Sequence, residues 1–145
     1  MTYKEEKKDL FLVDFSIWTP AHCISRDCKM GAGIAVPMKQ YFFLDELKKH
    51  IDEYTYIKLP PIGFSFYYND VYNLITKKNY WDKPTLDSVW DALMDMFVHA
   101  RKNNINKIVM PKIGSGLDKL LWDDVRIMII DLLVETDIEI MVCSL

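Results

Sequence analysis

The sequence predicts an α/β fold, a three-layer α/β/α domain around a central mixed β-sheet, and three observations carry that expectation. Short apolar runs bounded by Gly, Pro, Asn and Asp alternate along the chain with stretches of helical periodicity. Two of those runs, residues 21–24 (AHCI) and 108–110 (IVM), lead into turns of the form G-x-G and then into helical patterns. No repeat, linker or low-complexity segment divides the 145 residues, so a single domain over 1–145 is expected, long enough to bury a core without staples.

Residues 1–9 carry too many charges to assign. The run Leu10-Phe11-Leu12-Val13 begins or follows a first strand, and 21–24 is a short buried strand. From Ile34 to His50 the pattern is helical, with Pro37 marking an early start or a break. Residues 54–59 read as a strand stopped by Pro60-Pro61. Residues 64–68 and 71–76 form two more strands about the Asn69-Asp70 turn. Pro84 suits the first turn of a helix, and Leu86, Val89, Trp90, Leu93, Phe97 and Ala100 mark its apolar face up to Asn103-Asn104. After the strand at 108–110, Leu121, Val125, Met128, Ile129, Leu132 and Leu133 form a second helical stripe. Residues 138–143 close the domain as a strand.

Composition narrows the function classes. Half the residues are apolar and 27% are charged, an ordinary balance for a soluble protein. A formal net charge of −3 argues against holding nucleic acid mainly by phosphate neutralisation, although a small polyanion can still be held by backbone dipoles. Cys23, Cys28 and Cys143 lack C-x-x-C spacing, and His22, His50 and His99 are scattered, so no metal site is expected. The charged first ten residues contain no signal-peptide core and no run has membrane-spanning length, which makes an intracellular, soluble protein the expectation.

The two glycine turns, 31–33 (GAG) and 114–116 (GSG), both follow strand ends, and so does Lys77. In α/β sheets ligands sit beyond the carboxyl ends of the strands, where backbone N–H groups are able to cradle an anion. The stretches AHCISRDCKMGAGIAV, NLITKK followed by KPT, and MPKIGSGLD followed by a Trp-Asp helix start resemble the macrodomain family. Within it they are similar to the terminal ADP-ribose protein glycohydrolase branch, which includes DNA ADP-ribosyl glycohydrolases. The resemblance runs in order from about Asp9 to Leu145, with Lys8 standing where the family usually has glycine.

That resemblance implies an ADP-ribose pocket. Asp9 and Leu10 match the adenine-end pair, and Gly31, Ala32, Gly33 and Ile34 match the first phosphate loop. Ile113, Gly114, Ser115, Gly116 and Leu117 match the second, and Ser25 a polar position near the distal ribose. Lys77 and Asp118 match the catalytic pair of the branch, in which lysine attacks the anomeric carbon and aspartate shuttles protons. The implied activity is de-ADP-ribosylation of glutamate-type esters, or cleavage of O-acyl-ADP-ribose, with no cofactor. The implied partners are ADP-ribose and ADP-ribosylated protein, with a monomer expected. Two other readings stand beside it: a reader that binds ADP-ribose without turnover, and a hydrolase of ADP-ribosylated nucleobases in DNA.

Each residue also has a simpler reading. Lys77 alone would be a solvated strand-end lysine, Asp118 a helix N-cap and Asp9 a turn residue. His22 on its apolar strand reads as a packed, hydrogen-bonded histidine, Cys28 as structural, and Trp90 and Phe97 as core. Tyr80 and Trp81 stack on adenine, line a pocket or cover the sheet edge. Tyr67-Tyr68, without basic neighbours, reads as packing rather than base stacking.

Overall fold

The computed structural model describes residues 2–55, 60–116 and 118–145. Among them one sheet holds β1 (Thr2–Lys7), β2 (Thr19–Ser25), β3 (Phe64–Tyr68), β4 (Val71–Lys77), β5 (Lys107–Met110) and β6 (Glu139–Ser144). Their spatial order is β1-β6-β5-β2-β4-β3, parallel throughout except for the antiparallel β3–β4 edge. Helices α1 (Ala35–Tyr41) and α2 (Leu47–Thr55) cover one face, and α3 (Leu86–Lys102) and α4 (Trp122–Leu133) the other. The mixed three-layer architecture read from the sequence is therefore the architecture found.

The strand period explains the layers. Ile108, Met110, Ile140, Val142, Tyr72 and Leu74 pack with α3 and α4, while their neighbours Val109, Met141, Val71 and Ile75 pack on the opposite side. Strands buried on both faces read as continuous apolar runs, which is why β4 and β5 were recognisable. α3 begins at Thr85, whose hydroxyl accepts from Ser88 N at 3.0 Å while Ser88 Oγ accepts from Thr85 N at 3.1 Å. This reciprocal cap satisfies two orphan donors. Pro84 thus stands before the cap, not inside the first turn. Phe97 is in the core as expected, but Trp90 is only half-buried.

Three segments depart from the sequence reading. The charged N-terminal stretch forms β1, an edge strand whose Glu5 accepts from Arg126 Nε at 2.5 Å, Trp122 Nε1 at 3.1 Å and Tyr3 OH at 2.9 Å. The Arg126 hydrogen bond leads these partners in holding the Glu5 carboxyl down at about 2. The helix expected from Ile34 to His50 is two helices, and the break lies at 42–46 rather than at Pro37. Phe43 adopts φ 57°, Asn69 Nδ2 donates to the carbonyls of Phe42 and Phe43, and Leu44 and Leu47 are fully buried. Pro37 is harmless in the first turn of α1, where its missing N–H has no helical partner to lose. Tyr54 and Thr55 are the last residues of α2 instead of starting a strand, and the remainder of that expected strand, residues 56–59, lies outside the described residues.

Below the site, His22 on β2 is fully buried and its Nε2 donates to Asn73 Oδ1 at 2.6 Å. Asn73 Nδ2 in turn donates to the carbonyls of Phe66 and Val71. Burial pushes the imidazole down to about 4, so it is neutral at pH 7 and serves packing, as read. No described helix is long and apolar enough to cross a membrane.

Candidate active site

The site forms where the sheet splits. β2 pairs with β5 only at Thr19↔Ile108 and Pro20↔Val109, then with β4 from Ala21 to Ser25. Past Pro20 the gap between β2 and β5 opens into a cavity of about 960 Å³, at the carboxyl ends of three parallel strands. The loops leaving β2, β4 and β5 supply its walls. A second cavity of about 470 Å³ shares Ile34, Pro111 and Lys112 with the first.

A one-residue irregularity sets the chemistry. Ile24 pairs with Ile75, but Ser25 pairs with Lys77, leaving Thr76 as the extra residue in β4. Such bulges re-aim the side chain that follows. Here the Lys77 side chain faces the cavity, 14% exposed, and its Nζ donates to Asp118 Oδ1 at 2.6 Å. Asp118 is itself 18% exposed and does not cap α4, whose N-cap is Leu121 without a side-chain bond. The two are thus a shielded ion pair in the cavity wall, not the solvated lysine and helix N-cap of their simpler readings.

The glycine loops flank this pair. Gly31, Ala32, Gly33 and Ile34 line the large cavity, as do Ile113, Gly114 and Gly116. The N–H groups of Gly31, Ala32, Gly33 and Gly116 make no hydrogen bond to another described residue, leaving them able to meet an anion. α1 starts directly after the first loop, but α4 starts only at Trp122, so the second loop offers its own N–H groups rather than a helix terminus. Ser115 is not part of the lining: its Oγ and N both donate to the Lys112 carbonyl, which closes the turn. Leu117 lies outside the described residues. Asp9 and Leu10 line the smaller cavity, where Asp9 Oδ1 accepts from Phe11 N at 3.0 Å and caps the 3-10 turn Leu10–Leu12.

Ser25 reaches the cavity, and its hydroxyl donates to Asp27 Oδ1 at 2.5 Å. Asp27 carries no expectation from the sequence, yet it joins two loops. It also accepts from Lys29 N at 3.2 Å and, across to the loop after β4, from Tyr80 N at 2.9 Å. Partial burial works against its charge, but these bonds outweigh it and hold the carboxyl below the ordinary range. Cys23, also in the wall, is pushed up to about 12, first by burial and then by the Asp118 charge. Burial likewise pushes Cys28 up to about 11. Neither thiol supplies a thiolate at neutral pH. Among the described residues no group of His, Cys, Asp and Glu is placed to hold a metal.

No protein-family model matches the chain. Human ADP-ribose glycohydrolase OARD1 is 42% identical over 130 residues, covering 86% of this chain and 80% of that protein. The Bos taurus protein of the same name is 41% identical over 129 residues, with the same coverage. Among solved structures, the macrodomain of Mycobacterium tuberculosis DarG superposes with a TM-score of 0.84 at 20% identity, covering 99% of this chain and 98% of that one. Thermosipho africanus DarTG, solved in complex with ADP-ribose, superposes with a TM-score of 0.70 at 19% identity over 90% of this chain and 39% of its own. These structures share the fold, and the identity to the mammalian proteins goes further: the chain belongs to the macrodomain family, in its terminal ADP-ribose glycohydrolase branch.

Proposed function

We propose that this protein is an ADP-ribosyl hydrolase acting on glutamate-type ADP-ribose esters of proteins and on O-acyl-ADP-ribose, with Lys77 as nucleophile and Asp118 as acid/base. The observation that carries this reading is the 2.6 Å Lys77–Asp118 pair, set in a cavity wall between two glycine loops. A reader of ADP-ribose needs the loops but has no use for the pair. In this reading the adenine enters the smaller cavity beside Asp9 and Leu10, the diphosphate lies between the loops, and the distal ribose reaches Ser25 and Lys77.

A lysine attacks only as the free amine, so its proton must leave first, and Asp118 is the adjacent acceptor. The amine then forms a bond to the anomeric carbon as the C–O bond breaks and the carboxylate departs with its electron pair. Water replaces the lysine in a second step. Asp118 returns its proton to the departing amine, then takes the water's proton and passes it to the released carboxylate, so ester and water give free acid and ADP-ribose. What distinguishes this pair from an ordinary salt bridge is its access to the cavity from which substrate must come.

The test is release of free ADP-ribose from a glutamate-linked ADP-ribosylated protein. Wild type should release it, and Lys77→Ala should lose roughly 10³-fold or more in turnover while binding ADP-ribose within about threefold of wild type. Parallel loss of binding would make Lys77 a ligand clamp. Binding by wild type without release would make the protein a reader or move its substrate to nucleobase-linked ADP-ribose.

A further inference from the structure

We propose that Tyr80, Trp81 and Lys83, with Lys29 from the loop that Asp27 ties to theirs, form an acceptor platform that selects ADP-ribosylated polypeptide with acidic residues beside the modified side chain. The proposal deepens the reading above and rests on it.

Three observations carry it. Tyr80 and Trp81 are 57% and 67% exposed, yet they pack edge to face at 5.0 Å and both line the large cavity. Two large exposed aromatics in sequence are costly to leave in water unless a partner covers them. Neither residue borders the smaller cavity, so neither is placed for the adenine side. They lie in the loop that follows Lys77, which the reading above sets at the anomeric carbon, and so near the group attached there.

The loop is also held in place rather than dangling. Tyr80 N donates to Asp27 Oδ2 at 2.9 Å, Asn79 N donates to Asp82 Oδ2 at 2.9 Å, and Asp82 N donates to the Asn79 carbonyl. A preorganised surface loses less entropy on binding.

The charge is the third observation. The cavity lining carries Lys29, Lys77, Lys83 and Lys112 against Asp82 and Asp118, in a chain whose net charge is −3. Lys77 is matched by Asp118, and Asp82 accepts from Asn79. Among the described residues Lys29 and Lys83 make no ion pair within 4.0 Å. Aromatic side chains and two such lysines lining one cavity favour a polypeptide with carboxylates near the modified residue, since the cations supply steering and the rings supply contact area.

The test measures binding, so it does not depend on turnover. Calorimetry with free ADP-ribose is set beside calorimetry with two peptides carrying ADP-ribose through a non-hydrolysable linkage, one with acidic and one with neutral flanks. Wild type should bind the acidic peptide about tenfold more tightly than ADP-ribose alone, with the neutral peptide between. Trp81→Ala should collapse the advantage of both peptides, whereas Lys83→Ala should remove only the acidic-over-neutral preference. Raising salt should do the same as Lys83→Ala. Equal affinity for ADP-ribose and peptide in wild type would overturn the platform, as would an advantage that survives Trp81→Ala. Tighter binding of an ADP-ribosylated single-stranded oligonucleotide than of the acidic peptide would overturn the choice of polypeptide. Failure to bind ADP-ribose at all would instead sink the functional reading beneath it.

Discussion

The two glycine loops look alike in sequence, G-A-G and G-S-G, and each divides its labour between its two glycines. Gly33 and Gly114 sit at φ 63° and 73°, in the left-handed region that side chains avoid. A Cβ on Gly114 would also stand 3.1 Å from Leu120 Cδ1. Gly31 and Gly116 are not at positive φ, and a Cβ on either would meet nothing within 4 Å. One glycine in each loop is therefore demanded by the backbone, and the other is demanded by nothing in the protein itself. Room for a ligand's close approach is the remaining physical use of the second pair.

That contrast predicts substitutions that separate folding from binding. Gly116→Val should give the largest effect, weakening ADP-ribose on the order of 100-fold, because a branched side chain fills space the diphosphate needs, while thermal stability holds. An unaltered dissociation constant in the folded variant would sink the loop assignment. Gly114→Val should do the reverse first, costing about 2 kcal/mol of stability through left-handed strain and the Leu120 contact, measurable by denaturant unfolding. If Gly116→Val destabilised as much as Gly114→Val, the division between the two glycines would be wrong.

A gentler change addresses what keeps the first loop in register with the loop after β4. Asp27→Asn should loosen that tie and shift the acid limb of the stability curve. The sign follows from the depressed carboxyl: its contribution is full above the ordinary carboxylate value and is lost as pH falls through the lowered one. Wild type should therefore lose stability toward low pH more steeply than Asp27→Asn, and coincident acid limbs would count against Asp27 as the tie.

What was legible in the sequence follows from how local each signal is. β2, β4, β5 and β6 show as apolar runs, and α3 and α4 as stripes, because burial on one or both faces writes directly into the composition. β1 was illegible because TYKEEK lies at a sheet edge and its pairing depends on residues 139–144. The break between α1 and α2 depends on Asn69, a contact from another part of the chain. In the site, the glycine turns, Lys77 and Asp118 stood out as contiguous motifs. Thr76 and Asp27 did not, since a bulge exists only relative to a partner strand and Asp27 acts through the register of two loops.

Among the described residues β1 pairs only with β6, and Lys8 N continues the ladder to the Ser144 carbonyl. During synthesis the first strand thus waits, without a sheet partner, until β6 is made after every other strand of the sheet. The smaller cavity is bounded by Lys8–Phe11 on one side and Cys143–Leu145 on the other, so it too takes shape only once β6 is made. A nascent chain stalled before β6 can assemble the β2–β4 half with its glycine loop, yet it lacks the chamber in which the far end of a long ligand would rest. Contacts this distant in sequence form slowly. Ligand present during translation has its full binding surface to grip only once β6 has paired.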